Sequence, residues 1–178
     1  YTYDSSENEG GQYFPINGQG FGNELSGYSN TNFHFSFEGK MDFDITDNSE
    51  DLVFTFEGDD DVWIYLDYDL IIDLGGIHEA MEGSFKIVKS NSNSDEFEIW
   101  TKLHGENNYT DSGKRIQKGR HTFRLFYMER RTTESNLKIS TNIEFEKSTE
   151  ETPDEEGSEG FKKIQYLKND PEEEEITG

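Results

Sequence analysis

The sequence predicts an all-β fold, an antiparallel β-sandwich followed by an acidic C-terminal tail, on three observations. Apolar and polar residues alternate in one segment after another, the period of strands with one buried face. Hydrophobic residues are only 30% of the 178 positions while aromatics reach 14%, so the core leans on Phe, Tyr and Trp, which suit a pleated sheet. No long apolar pattern of helical period occurs, and Gly, Asn and Asp punctuate the chain at short intervals.

The elements follow in order. Residues 1–32 are rich in Gly, Asn, Ser and acidic residues and read as an irregular leader with aromatic anchors at Tyr13, Phe14, Phe21 and Tyr28. Phe33, Phe35 and Phe37 form one alternating strand and Met41, Phe43 and Ile45 another, with Gly39-Lys40 as the hairpin turn between them. Leu52, Phe54 and Phe56 give the next strand. Val62-Trp63-Ile64-Tyr65-Leu66 is apolar at every position, as a strand covered on both faces would be. Asp67-Tyr68-Asp69 turns the chain into Leu70-Ile71-Ile72, which leaves through Asp73-Leu74-Gly75-Gly76-Ile77-His78, where paired glycines signal a tight loop.

Further strands are expected at Ser84 to Val88, Glu96 to Leu103, Thr122 to Met128 and Leu137 to Phe145. Polar loops are expected at Lys89 to Ser94 and around His104 to Lys118. The expected domain is 1–146, with 147–178 as linker and tail carrying 11 acidic and 4 basic side chains. Within that tail, 161–167 is the one stretch that reads as a strand, either docking back on the sandwich or opening a following domain.

Charge excludes several functions. The net charge of −23 comes from 39 acidic against 16 basic residues, which argues against nucleic acid as a partner because phosphate binding needs clustered Lys and Arg. Anionic membrane surfaces are disfavoured likewise, and no stretch is long enough to span a bilayer. Self-repulsion on this scale is relieved by bound cations or a solvated tail. With no cysteine in the chain, disulfides, thiolate catalysis and cysteine-type zinc sites are ruled out. No nucleophile motif or phosphate loop is present either, so a binding module is expected rather than an enzyme.

Gly58-Asp59-Asp60-Asp61 stands between two expected strands, directly before the most hydrophobic one. Acidic runs are more often solvated loops than sites. At the edge of a buried strand, however, adjacent like charges repel unless a cation neutralises them. Carboxylate oxygens suit Ca²⁺, which takes about 6–8 oxygen ligands, so other loops would have to contribute.

Three ordered segments carry a family resemblance: Gly58-Asp59-Asp60-Asp61-Val62-Trp63-Ile64-Tyr65-Leu66-Asp67, Ile72-Asp73-Leu74-Gly75-Gly76-Ile77-His78, and Phe126-Tyr127-Met128-Glu129-Arg130-Arg131-Thr132-Thr133-Glu134-Ser135-Asn136. Together with Tyr13-Phe14-Pro15-Ile16 and Asn32-Phe33-His34-Phe35, the chain from Tyr13 to Phe145 resembles the fibro-slime domain. That family is related to the protective-antigen-type lectin-like β-sandwich of yeast flocculins, bacterial adhesins and some glycosidase accessory domains.

The resemblance implies a lectin-like jelly-roll sandwich with calcium at one end. An aspartate pair joined through a cis peptide and an Asn from a later loop would hold it, mapping to Asp59, Asp60 and Asn136, with Asp61 a lesser candidate. Where related domains bind sugars, the calcium coordinates vicinal hydroxyls and neighbouring loops set selectivity, so Gly75, Gly76, His78, Arg130 and Arg131 become the candidate ligand-binding residues. Two departures stand out: Arg131 replaces the His of the common motif, and 89–118 is longer and more polar than the family's usual stretch, with Trp100 and Tyr109 in it.

The expectation is therefore a calcium-dependent carbohydrate-binding or adhesion module. It would be a monomeric unit of a larger microbial secreted or cell-surface protein, with a glycan or a host or cell-surface ligand as partner. The alternative is a spacer or protein-binding unit of a surface stalk in which calcium only rigidifies the domain.

Overall fold

The computed structural model describes residues 1–7, 11–20, 22–26, 29–33, 35–47, 50–90, 95–130 and 135–147. Two antiparallel sheets pack face to face. The first runs β1 (Thr2–Asp4), β12 (Leu137–Thr141), β5 (Leu52–Gly58), β8 (Met81–Lys89), β9 (Glu96–Leu103), β10 (Thr110–Gln117) from edge to edge. The second runs β13 (Glu146–Lys147), β4 (Phe35–Ile45), β11 (Gly119–Glu129), β6 (Asp61–Leu66), β7 (Asp69–Leu74). A hairpin of β2 (Glu24–Ser26) and β3 (Ser29–Thr31), and a short 3₁₀ turn at Ser5–Glu7, complete the described elements.

The core is aromatic, as the composition requires. Phe54 and Phe56 of the first sheet meet Phe123 and Tyr127 of the second, with ring centroids 4.8 Å apart for Phe54–Phe123 and 6.4 Å for Phe56–Tyr127. Phe54 also stacks on Phe85 at 5.6 Å within its own sheet. Phe54, Phe56, Phe85 and Phe123 are wholly buried.

Several expectations are corrected. Gly39-Lys40 is not a hairpin turn: β4 runs unbroken through it and pairs with β11 from Phe35↔Glu129 to Ile45↔Gly119. Val62 to Leu66 is covered on both faces only in part. Val62, Ile64 and Leu66 are buried, while Trp63 and Tyr65 are half-buried on the outer face, lining with Phe126 and Met128 an open groove of about 360 Å³.

The polar stretch read as a loop, 104–118, contains β10. This edge strand buries only Ile116 and is bulged between Asp111 and Lys114, which accounts for its polar sequence. The strand expected over 137–145 ends at Thr141 because Asn142 leaves the ladder. Its Oδ1 accepts from the Val53 N–H at 2.6 Å and its Nδ2 donates to the Asp51 carbonyl at 2.9 Å. The chain then crosses to the second sheet, with Ile143 still buried.

The leader is likewise more ordered than its composition suggests. It supplies β1 at a sheet edge and is held elsewhere by Asn32, whose buried Nδ2 donates to the Gln19 carbonyl at 2.8 Å. Phe21 and Tyr28, expected anchors, lie outside the described residues, as does 161–167.

Truncating a cross-sheet aromatic tests this core. Phe54→Ala is expected to lower the unfolding free energy by about 3–5 kcal/mol, as buried Phe truncations do. Phe126→Ala, on the half-open outer face, should cost less than half as much. Urea unfolding of both variants against wild type reads the difference, and equal losses would contradict the assignment of inner and outer faces.

Candidate functional site

Register places four connections at one end of the sandwich. Gly58 pairs with both Leu137 and Met81, Gly83 with Leu103, Val62 with Leu74 and Asp61 with Met128. The β5–β6, β7–β8, β9–β10 and β11–β12 connections therefore share that end. The β5–β6 turn crosses from one sheet to the other with only Asp59 and Asp60 between the strands.

The three aspartates are buried, at 7%, 1% and 3% exposure for Asp59, Asp60 and Asp61. Such burial rules out the solvated-loop reading, and buried charge is costly unless it is paired and hydrogen-bonded. The donors come from two other loops, the β11–β12 connection for Asp59 and Asp60 and the β7–β8 loop for Asp61. Asp59 Oδ2 accepts from Asn136 Nδ2 at 2.9 Å, and its Oδ1 accepts from the Asn136 backbone N–H. Asp60 Oδ2 accepts from the Arg130 N–H at 2.8 Å. Asp61 Oδ1 accepts from the Gly76 N–H, and its Oδ2 lies against Arg130 Nε as an ion pair rather than a well-aligned hydrogen bond.

The bonding is incomplete. Asp60 Oδ1 is buried with no hydrogen-bond partner, and Asn136 keeps its side-chain carbonyl uncommitted among the described residues. Burial pushes the Asp59 carboxyl above the usual carboxylate range, the two Asn136 hydrogen bonds oppose that, and the neighbouring Asp60 charge adds to it. Of the three carboxylates only Asp61 pairs with a guanidinium, that of Arg130, among the described residues. No three His, Cys, Asp or Glu side chains among the described residues form a cage that alone could hold a metal, so a cation here would need oxygens from Asn136 and from backbone carbonyls as well.

The implied cis peptide is corrected: the described residues contain none, and the turn is instead made by Asp60 at φ 75°. A non-glycine residue in the left-handed region is held there by its surroundings, here the Arg130 N–H on its carboxylate.

Glycines let the loops approach. A Cβ on Gly58 would stand 2.6 Å from Phe56 Cζ and 2.7 Å from the Asn136 carbonyl oxygen. One on Gly75 would stand 2.9 Å from Trp63 Cζ2, while Gly76 takes φ 125°.

The other expected ligand-binding residues divide. His78 caps its own loop, with Nδ1 2.8 Å from the Glu79 carbonyl and Nε2 2.9 Å from that of Leu74. Arg130 is committed to Asp61 through Nε and remains 42% exposed. Arg131 lies outside the described residues. In the longer 89–118 stretch, Lys86 Nζ sits over the rings of Trp100 and Tyr109, 5.5 Å and 5.1 Å from their centroids.

Sequence reasoning missed the clamp behind the site. Ser135 is wholly buried and its Oγ donates to the Tyr13 carbonyl at 2.7 Å, while the Tyr13 N–H donates to the Ser135 carbonyl at 2.8 Å. Tyr127 Oη donates to Glu129 Oε2 at 3.2 Å, so Glu129 serves there as a structural hydrogen-bond acceptor. Burial first, then the Glu129 charge, pushes the Tyr127 phenol up, so it stays a donor.

A model of the PA14 domain family matches residues 15–157. Among curated proteins, the chain is similar to Protein psiP of Dictyostelium discoideum, 32% identical over 163 residues that cover 81% of this chain and 18% of that protein. It is also similar to Protein psiI of the same organism, at 35% over 150 residues covering 81% and 17%. Protein psiC matches at 35% over 150 residues covering 80% and 23%. The chain spans about a fifth of the length of these relatives. No solved structure matches.

The contact between Gly58 and the Asn136 carbonyl is open to direct test. Gly58→Ala is expected to destabilise the domain by about 1–3 kcal/mol through overpacking. Gly39→Ala, whose Cβ would meet nothing nearer than Leu125 Cβ at 3.8 Å, should move stability by less than about 1 kcal/mol. Thermal melts compare the two, and a neutral Gly58→Ala would contradict the close approach.

Proposed function

The chain belongs to the PA14 domain family, and from that membership we propose that it is a calcium-dependent carbohydrate-binding or adhesion module of a secreted or cell-surface protein. Domains of this family serve in adhesion and carbohydrate binding, and proteins that carry them are typically extracellular or displayed on cells. No helix among the described residues is long and apolar enough to cross a membrane.

The observation that carries the calcium reading is the buried Asp60 Oδ1, which has no hydrogen-bond partner among the described residues, in a turn of three carboxylates of which only Asp61 pairs with a guanidinium. In this proposal Asp59, Asp60 and the Asn136 side-chain oxygen hold Ca²⁺, with Asp61 anchoring Arg130 and the Gly76 loop beside it. Bound calcium supplies open coordination positions for neutral hydroxyl pairs. The chain's own residues fix the loops that decide which hydroxyls reach it. We assign no catalytic role to these carboxylates.

A second reading has its own support. His78 and the Arg130 guanidinium, the polar side chains best placed to grip a ligand, are both engaged within the domain. The relatives are also several times longer than the matched region. Calcium would then stiffen one unit of a longer stalk, and the partner would be another protein.

A glycan panel probed with and without chelator distinguishes the readings. The lectin reading expects sugar binding that chelator abolishes. The spacer reading expects a chelator-sensitive melting temperature and no glycan bound. At a hundredfold excess of Ca²⁺ over Kd, stabilisation should be about 2.7 kcal/mol, or roughly 5–10 °C for a domain of this size. Asp60→Ala should remove that calcium-dependent increment and leave the melting temperature in chelator within a few degrees of wild type. Equal losses in calcium and in chelator would eliminate Asp60 as a ligand.

A further inference from the structure

We infer that Asn108 is an acceptor for N-linked glycosylation, an inference that rests on the proposal that the protein enters a secretory pathway. Asn108-Tyr109-Thr110 is the one Asn-X-Ser/Thr triplet in the sequence, and such triplets are modified where they lie on accessible loops of secreted chains. The structure puts this one where modification demands. Asn108 lies in the β9–β10 connection, exposed, and its side chain makes no hydrogen bond among the described residues.

The middle residue carries the structural load of the loop. Tyr109 Oη is 2.6 Å from Ser84 Oγ, and the ring lies beneath Lys86 and Lys102, at 5.1 Å and 5.8 Å from its centroid. Thr110 is exposed, and its hydroxyl makes only a long contact of 3.4 Å to the Thr101 carbonyl. The loop is therefore fixed through Tyr109 while both residues that a glycosyl transferase reads remain open. A glycan on Asn108 displaces no packed atom, so the folded domain accommodates it.

In the reaction, Asn108 Nδ2 bonds to the anomeric carbon of an oligosaccharide carried on a lipid pyrophosphate. The bond from that carbon to the pyrophosphate oxygen breaks, the lipid pyrophosphate leaves with the electron pair, and Nδ2 loses one proton. No oxidant or reductant is required.

The position has a consequence for recognition. The Gly83↔Leu103 and Gly58↔Met81 pairings set the β9–β10 loop at the same end as the acidic turn. The glycan would stand on the rim of the proposed binding end and restrict bulky partners on that side.

The full chain, fused to a secretory leader and expressed in a eukaryotic host, provides the test. Protein from the medium should carry one glycan, released by peptide-N-glycosidase as a single gel shift, with Asn108 converted to Asp in the peptide mass. Asn108→Gln and Thr110→Ala should each abolish the shift, Thr110→Ser should keep it, and the melting temperature of Asn108→Gln should match that of the enzyme-deglycosylated wild type. Secreted protein whose 108–110 peptide is wholly unmodified overturns the inference. Because the added leader forces entry into the pathway, that outcome is separate from a failure of the surface reading, which would appear as absence of the native protein from its own cell surface.

Discussion

Three consecutive carboxylates must be neutralised in a place where water hardly reaches them, and the loop end of the sandwich is organised by that requirement. An unpaired buried charge costs several kcal/mol. Every donor that meets Asp59, Asp60 and Asp61 is therefore part of the fold's specification, and those donors come from the β7–β8 loop and from both ends of the β11–β12 connection. Two other passages between the sheets are thereby tied to the one made by the turn. Three of the donors are backbone N–H groups, those of Gly76, Arg130 and Asn136, so the turn fixes loop paths as well as side chains.

Behind the turn, a second constraint joins the start of the chain to its last large loop. The paired bonds of Tyr13 with Ser135 form a two-way backbone and hydroxyl bridge across more than a hundred residues. Tyr13 also places its ring edge-on to Phe35, Phe37 and Tyr127, at 6.0, 5.9 and 6.1 Å between centroids. Aromatic packing thus locates the leader, and hydrogen bonds set its register. Since Asn136 directly follows Ser135, the clamp also holds the amide that meets Asp59.

Much of this was legible in the sequence, with instructive exceptions. Phe33, Phe35, Phe37, Met41, Phe43 and Ile45 share one parity, and carried across Gly39 that parity describes a single long strand. The pair Gly39-Lys40 misled because glycine next to a polar residue reads as a turn unless the alternation on both sides is compared. β10 offered almost no signal, because an edge strand with one buried residue lacks the alternation by which strands are recognised. The acidic turn was legible from its place before a buried strand, but the Gly76 and Arg130 N–H donors were not, since a backbone donor leaves no trace in residue identity. The left-handed Asp60 was likewise hidden. Family likeness implied a different bond geometry, and only the path of the chain shows that a positive φ makes the turn.

Charge balance narrows the chemistry that this end of the molecule can recognise. Several basic residues are engaged well away from it: Lys118 with Asp47, Lys114 with Asp69, and Arg120 with Asp42 and Glu146. Apart from Arg120 with the buried Asp42, these pairs are exposed and add little stability, yet all of them occupy cations in a chain that has 16 Lys and Arg against 39 Asp and Glu. At the acidic turn, Arg130 is the one basic side chain paired with the carboxylates among the described residues. Without a bound cation an anionic ligand approaching this end would meet repulsion from the turn, and a cationic peptide would have to compete with calcium for the same oxygens. A neutral polyol avoids both costs, because its hydroxyls can enter the coordination shell of a bound cation without adding charge. On the calcium reading, the cation and Arg130 offset the three carboxylates, so hydroxyl coordination at the cation, rather than net charge at the turn, would select the ligand.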